Sequence, residues 1–88
     1  MSSKFVAIFV GSQSDLDVVK SCTDTLTKLG IAYELKISSA HRTPSQTLAY
    51  VQDADSRGCQ VFIAAAGVAA HLAGTVAAHT HKPVIGIP

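Results

Sequence analysis

Tryptophan is absent from this 88-residue chain, and the other aromatics amount to three Phe and two Tyr. Tyr33 and Tyr50 are too few and too far apart in sequence to clamp a flavin-like ring between two aromatic faces. Charge is also scarce. Seven Lys and Arg stand against six Asp and Glu, scattered rather than clustered, for a formal charge of +1. No field of this size gathers a polyanion, so DNA, RNA and other nucleic-acid partners are excluded in favour of a small ligand. The two cysteines, Cys22 and Cys59, lack metal-ligand spacing and have no neighbouring base to activate them, so no metal is expected and both read as reduced core thiols. The longest apolar run, 61–70, is too short to span a bilayer. The first residues lack the charged, apolar and small-residue regions of a leader, so a cytoplasmic protein without a membrane segment is expected.

What the chain does have is apolar material. Hydrophobic residues make up 48% of the sequence and mean hydropathy is positive, which suits a packed core rather than a disordered segment. A core in so short a chain buries a modest share of its surface, so an oligomer or a larger parent domain is expected. Residues 5–10 form a continuous β-prone apolar run, as a central strand covered on both faces would. Ser14 then precedes an apolar stripe at helical spacing, formed by Leu16, Val19, Cys22, Leu26 and Leu29, and Gly30 closes that helix. The grammar repeats. A second strand over 31–37 leads through a turn to Thr43-Pro44-Ser45-Gln46, an N-cap, a proline at the first helical position and a capping-box glutamine. That helix runs to about Gly58, a third strand covers 60–65, a short helix of small residues covers 71–79, and a fourth strand covers 84–87. His79 and His81, near the end of the short helix, read as surface residues. Alternating strands and helices with short connections predict a doubly wound α/β fold, flavodoxin- or Rossmann-like, with a parallel sheet in a three-layer α/β/α arrangement. The 88 residues read as one α/β domain of about four strands, with further structure expected after the fourth strand or from another chain.

In such a sheet, ligands bind beyond the carboxyl ends of the strands, which makes neighbours of the segments after strands one, two and three. Gly11-Ser12-Gln13-Ser14-Asp15 joins a turn glycine, two hydroxyls and a helix N-terminus, the ingredients of a phosphate loop. Asp15 would repel a phosphate, so a ribose hydroxyl is its natural target. Ser38-Ser39-Ala40-His41-Arg42-Thr43-Pro44 adds hydroxyls, a guanidinium fitted to a phosphate fork, and a histidine able to move protons near neutral pH. In Ala65-Ala66-Gly67-Val68-Ala69-Ala70-His71, Gly67 and its small neighbours let a flat ligand approach closely, with His71 at a helix start. Each segment also has a plain structural reading, as a capped helix start, a solvated His-Arg pair or a structural histidine. Their convergence on one sheet edge favours a site.

Taken in order, Gly11-Ser12-Gln13-Ser14-Asp15, Ser39-Ala40-His41-Arg42-Thr43-Pro44, Ala69-Ala70-His71-Leu72 and Lys82-Pro83-Val84-Ile85-Gly86-Ile87-Pro88 resemble the family of phosphoribosylaminoimidazole carboxylase catalytic subunits. The resemblance covers essentially the whole chain, though only about half of the family domain. It implies transfer of a carboxylate from the exocyclic nitrogen of an aminoimidazole ribonucleotide to ring carbon four in purine biosynthesis, with no metal, biotin or nucleotide cofactor, in a homo-octamer. Carried over residue by residue, Ser12, Ser39 and Arg42 would hold the phosphate and Asp15 the ribose, within a substrate site that includes Ser14 and Gly67. His41 would be the general acid and base, and His71 would help shape the pocket for the carboxylate or released carbon dioxide. Arg42 and Ala69-Ala70-His71 match the mutase branch rather than the branch that uses free carbon dioxide as a carboxylase. The third loop departs from the pattern: Ala65 and Val68 stand where glycine is usual, and Ala73 where proline is.

Three rival readings remain. A flavodoxin-like binding or signalling domain shares the hydroxyl-rich first loop but would need flanking aromatics or an acidic phospho-acceptor constellation. A non-catalytic homologue would keep the fold and bind nucleotide or only assemble with a partner. A related carboxylase acting on a pyridine nucleotide would not be expected to keep Ser-Ala-His-Arg.

Overall fold

The structure is a computed structural model and describes residues 4–11, 16–37, 44–65, 74 and 76–87. Its elements run β1 (Phe5–Val10), α1 (Leu16–Lys28), β2 (Tyr33–Ile37), α2 (Pro44–Arg57), β3 (Cys59–Ala65) and β4 (Val84–Ile87). All strand pairs are parallel and the sheet order is β2-β1-β3-β4. The apolar run 5–10 therefore becomes an inner strand, flanked by β2 and β3, and its residues are nearly all buried.

Strand alternation divides those side chains between two cores. Ile8 and Val10 join Val19 of α1 and Ile63 and Ala65 of β3, with Leu16, Cys22 and Leu26 of α1 packed against them. Phe5, Ala7 and Phe9 face the other way, onto Val51 and Ala54 of α2, Phe62 of β3 and Val76. One helix thus covers each face of the sheet, which is the doubly wound three-layer fold that the sequence predicts. A register shift between Phe5↔Cys59 and Val6↔Val61 places one extra residue, Gln60, in β3. This bulge lets Cys59 and Phe62 lie in the same core.

Several element ends differ from the sequence expectation. α1 stops at Lys28, because Gly30 N–H donates to Thr27 C=O and Ile31 N–H donates to Leu26 C=O, a Schellman closure with Gly30 at φ 72°. Leu29 consequently falls in the turn, 67% exposed, and leaves the apolar stripe in which its spacing had placed it. β2 starts at Tyr33 rather than residue 31, since Ile31 and Ala32 complete the turn. β3 starts one residue early, at Cys59. In the expected short helix over 71–79, residues 74, 76 and 77 are helical, whereas 78 and 79 form a turn. His79 and His81 are exposed, as expected. Cys59 is fully buried, while Cys22 is only partly so. No helix among the described residues is long and apolar enough to cross a membrane.

Candidate active site

The strand registers build the frame of the site. Val10 pairs with Ile37 on one side and with Ala65 on the other, and Ala65 pairs with Ile87. The last residues of all four strands therefore form one straight row, about 4.8 Å from strand to strand. Gly11 extends it, its N–H donating to Ala65 C=O at 3.1 Å. The segments holding the candidate residues leave from this row: 12–15 after β1, 38–43 after β2 and 66–73 after β3.

The crossover from β1 to β2 runs through α1 on one face, and that from β2 to β3 runs through α2 on the other. The chain thus reverses its winding between β1 and β3, with α1 packed on one face and α2 on the other. Such a switch point opens a crevice at the carboxyl edge, where open α/β sheets take their ligands. α1 and α2 both begin at this edge, directing the free N–H groups of their first turns toward it. Ser12, Ser14, Asp15, Ser39, His41, Arg42, Gly67 and His71 all lie outside the described residues, as do Val68 and Ala73. The departure at Ala65 costs the backbone nothing. Ala65 is an ordinary buried strand residue paired on both sides, and no described residue other than glycine has a positive φ.

Sequence reasoning missed a polar cluster between β2 and α2. The Glu34 carboxylate of β2 accepts from Arg57 Nη1 at 2.7 Å, from Arg57 Nη2 at 2.9 Å and from the Tyr50 hydroxyl at 2.6 Å. Arg57 Nε donates to Asp53 Oδ2 at 2.7 Å, one turn back on α2. The Arg57 guanidinium, followed by the Tyr50 hydroxyl, holds the Glu34 carboxyl down at about 2. Burial, reinforced by the bond to Glu34, pushes the Tyr50 phenol above its ordinary range, so it stays a donor. The Tyr50 ring meets Phe9 edge to face at 5.3 Å, and Lys36 Nζ lies 5.5 Å from its centroid. A signal for the cluster was present in sequence: an acidic residue between the apolar positions of the second strand, and Asp53 and Arg57 at i, i+4.

A cleft of about 580 Å³ opens at the opposite, amino end of the strands, between Lys4, Phe5, Ala32, Tyr33, Glu34, Ser56 and Arg57. Its Glu34 and Arg57 already satisfy one another, which leaves little charge there for a phosphate. The carboxyl edge is the better site. Among the described residues no group of His, Cys, Asp and Glu is arranged to hold a metal.

A four-stranded parallel sheet wound on both faces, with its polar segments collected at the switch point, defines a doubly wound α/β protein of the kind that holds a small ligand at the carboxyl edge. The family model described as AIR carboxylase matches residues 5–88, and the chain belongs to that family. It is 50% identical over 86 residues to an N5-carboxyaminoimidazole ribonucleotide mutase of Pseudomonas aeruginosa, covering 98% of this chain and 53% of that protein. It is 53% identical over 83 residues to the mutase of Thermotoga maritima, covering 94% of this chain and 48% of that one. A phosphoribosylaminoimidazole carboxylase of Schizosaccharomyces pombe is 50% identical over all 88 residues, which make up 16% of its length. The crystal structure of Treponema denticola PurE superposes with a TM-score of 0.84 at 27% identity, covering 93% of this chain and 52% of that one. The chain thus spans about half the length of the two bacterial mutases it matches.

Proposed function

We propose that these residues form the first half of the catalytic domain of a mutase that interconverts N5-carboxyaminoimidazole ribonucleotide and 4-carboxy-5-aminoimidazole ribonucleotide in purine biosynthesis. The observation that carries this reading is the in-register row of strand ends at the switch point, in a chain of the AIR carboxylase family. The mutase name of relatives about 50% identical supports the reaction class.

Ser12, Ser39 and Arg42 hold the phosphate, the guanidinium as a two-pronged donor. Ser14 and the free N–H groups opening α1 favour the same charge. Asp15 holds the ribose, and Gly67 lets the base approach the backbone. His41 then acts as acid and base in turn. It gives a proton to the carbamate nitrogen, the C–N bond breaks with its electron pair staying on nitrogen, and carbon dioxide is released. Ring carbon four attacks the trapped carbon dioxide through its enamine-like electrons. The proton on that carbon returns to His41, so no proton is gained or lost overall. His71 and the small residues around it wall the space in which the gas is held. No metal or organic cofactor is needed. The protein is cytoplasmic and a homo-oligomer, an octamer by family resemblance, which suits an edge strand with Tyr33, Leu35 and Ile37 exposed on one face.

Incubating the protein with 4-carboxy-5-aminoimidazole ribonucleotide and following its ultraviolet absorbance tests the reaction. Turnover lost in His41→Asn, with substrate still bound, is the expected result; turnover that survives removes His41 from the acid and base role. The other reading is a homologue that keeps the fold and binds nucleotide or only assembles with a partner. Binding without turnover in the unaltered protein would select it.

A further inference from the structure

Among the described residues β2 has one strand neighbour, β1, so its outer edge is unpaired. The backbone phase of β2 is fixed by Val6 N–H, which donates to Ala32 C=O at 3.0 Å. In a strand the N–H and C=O of one residue point the same way, and successive residues alternate. Ala32, Glu34 and Lys36 therefore turn their backbone groups to β1, and Tyr33, Leu35 and Ile37 turn theirs outward. The side chains of these three share the α1 face with Ile8 and Val10 and are 37%, 41% and 51% exposed. Glu34 and Lys36 lie on the α2 face, where both meet Tyr50. An open edge beside an apolar stripe invites pairing with another strand.

The strand Tyr33-Glu34-Leu35-Lys36-Ile37 is complementary to its own reverse. Laid antiparallel on a second copy about a twofold axis at Leu35, it sets Leu35 opposite its counterpart and Tyr33 opposite Ile37. All of these have outward backbone groups, so each pair exchanges both of its hydrogen bonds. The same register sets Glu34 of each copy opposite Lys36 of the other. Glu34 keeps its bonds to Arg57 and Tyr50, and at 40% exposure its carboxylate has room for a further donor. Neighbouring registers fail. A slip of one residue sets outward backbone groups against inward ones, and a slip of two sets Glu34 against Glu34 or Lys36 against Lys36. We propose that β2 pairs with β2 of a second copy of this chain in the register centred on Leu35, joining two sheets into one continuous sheet. This gives the proposed homo-oligomer a defined interface, and it rests on that part of the proposed function and not on the reaction.

Sedimentation equilibrium of the unaltered protein and of Lys36→Glu tests this, together with oxidative cross-linking of Leu35→Cys. In Lys36→Glu both cross-strand charge pairs become like-charged, so the dissociation constant between copies should rise about tenfold at low salt. Leu35→Cys, in a Cys22→Ser background, should close a disulfide between copies on mild oxidation. The Cα atoms of a hydrogen-bonded antiparallel pair lie about 5.5 Å apart, within disulfide reach, and Cys59 is buried. The cross-link carries the test alone if Lys36→Glu fails to fold. A monomeric parent, a dissociation constant that Lys36→Glu leaves unmoved, or no disulfide between copies overturns the proposal. An oligomer held through another face would sink this interface and leave the homo-oligomer standing, whereas a monomer would sink both. Neither result bears on the mutase reading, which is read by turnover.

Discussion

Glu34 is the one acidic residue of β2, and its surroundings make it a pH-dependent tie. Its carboxyl titrates at about 2 in the fold instead of the ordinary 4.5, because Arg57 and Tyr50 hydrogen-bond the charged form. The folded state therefore binds the proton less readily than the unfolded chain. The stabilisation is complete above the ordinary value and fades as pH falls from about 4.5 through about 2. The neighbouring charges are Arg57, Lys36 and Asp53, and the pair is near 40% exposed, so solvent screens much of it. Between pH ~5 and ~2 the protein should lose about 1 kcal/mol more stability than Glu34→Gln, read from urea unfolding midpoints. Equal losses in the two proteins would show that the tie does not stabilise the fold. Cys59 shows the opposite situation: burial raises its thiol, which suits a core residue and not a nucleophile.

At the scale of elements, most of the architecture was legible because hydrophobic period and punctuation agreed. The run 5–10 has no polar face and became an inner strand. Pro44 opens α2, and Gly30 closes α1 with a left-handed φ. The errors fell where spacing alone decided. Leu29 keeps helical spacing but lies beyond the last helical residue, since the closing hydrogen bonds and not hydrophobic period set a helix end. The polar cluster was not legible, because pairing Glu34 with Tyr50 and Arg57 depends on how β2 and α2 pack. The candidate residues were legible only as types on loops that share one edge. Gly30 offers a clean test of the closure: a Cβ there meets nothing within 4 Å. Gly30→Ala should thus cost only the backbone strain of a left-handed residue, about 1 kcal/mol in thermal or urea unfolding. No loss of stability would mean that α1 ends some other way.

For the whole molecule, the arrangement separates two edges of one sheet. The amino edge holds a cleft whose charges are already paired, and the carboxyl edge collects the polar segments at the switch point. The chain supplies about half the length of the bacterial mutases, and its family membership rests on residues 5–88. The proposed location of the ligand, a phosphorylated aminoimidazole ribonucleotide, is the carboxyl edge of the paired strands β1 and β3. The most direct measurement is backbone amide chemical-shift mapping as 4-carboxy-5-aminoimidazole ribonucleotide is titrated into the protein. Shifts are expected to concentrate at Gly11, Ile37, Ala65 and Ile87, the row of strand ends. Shifts gathered at Phe5, Ala32 and Arg57 instead would place the ligand at the amino edge and contradict it.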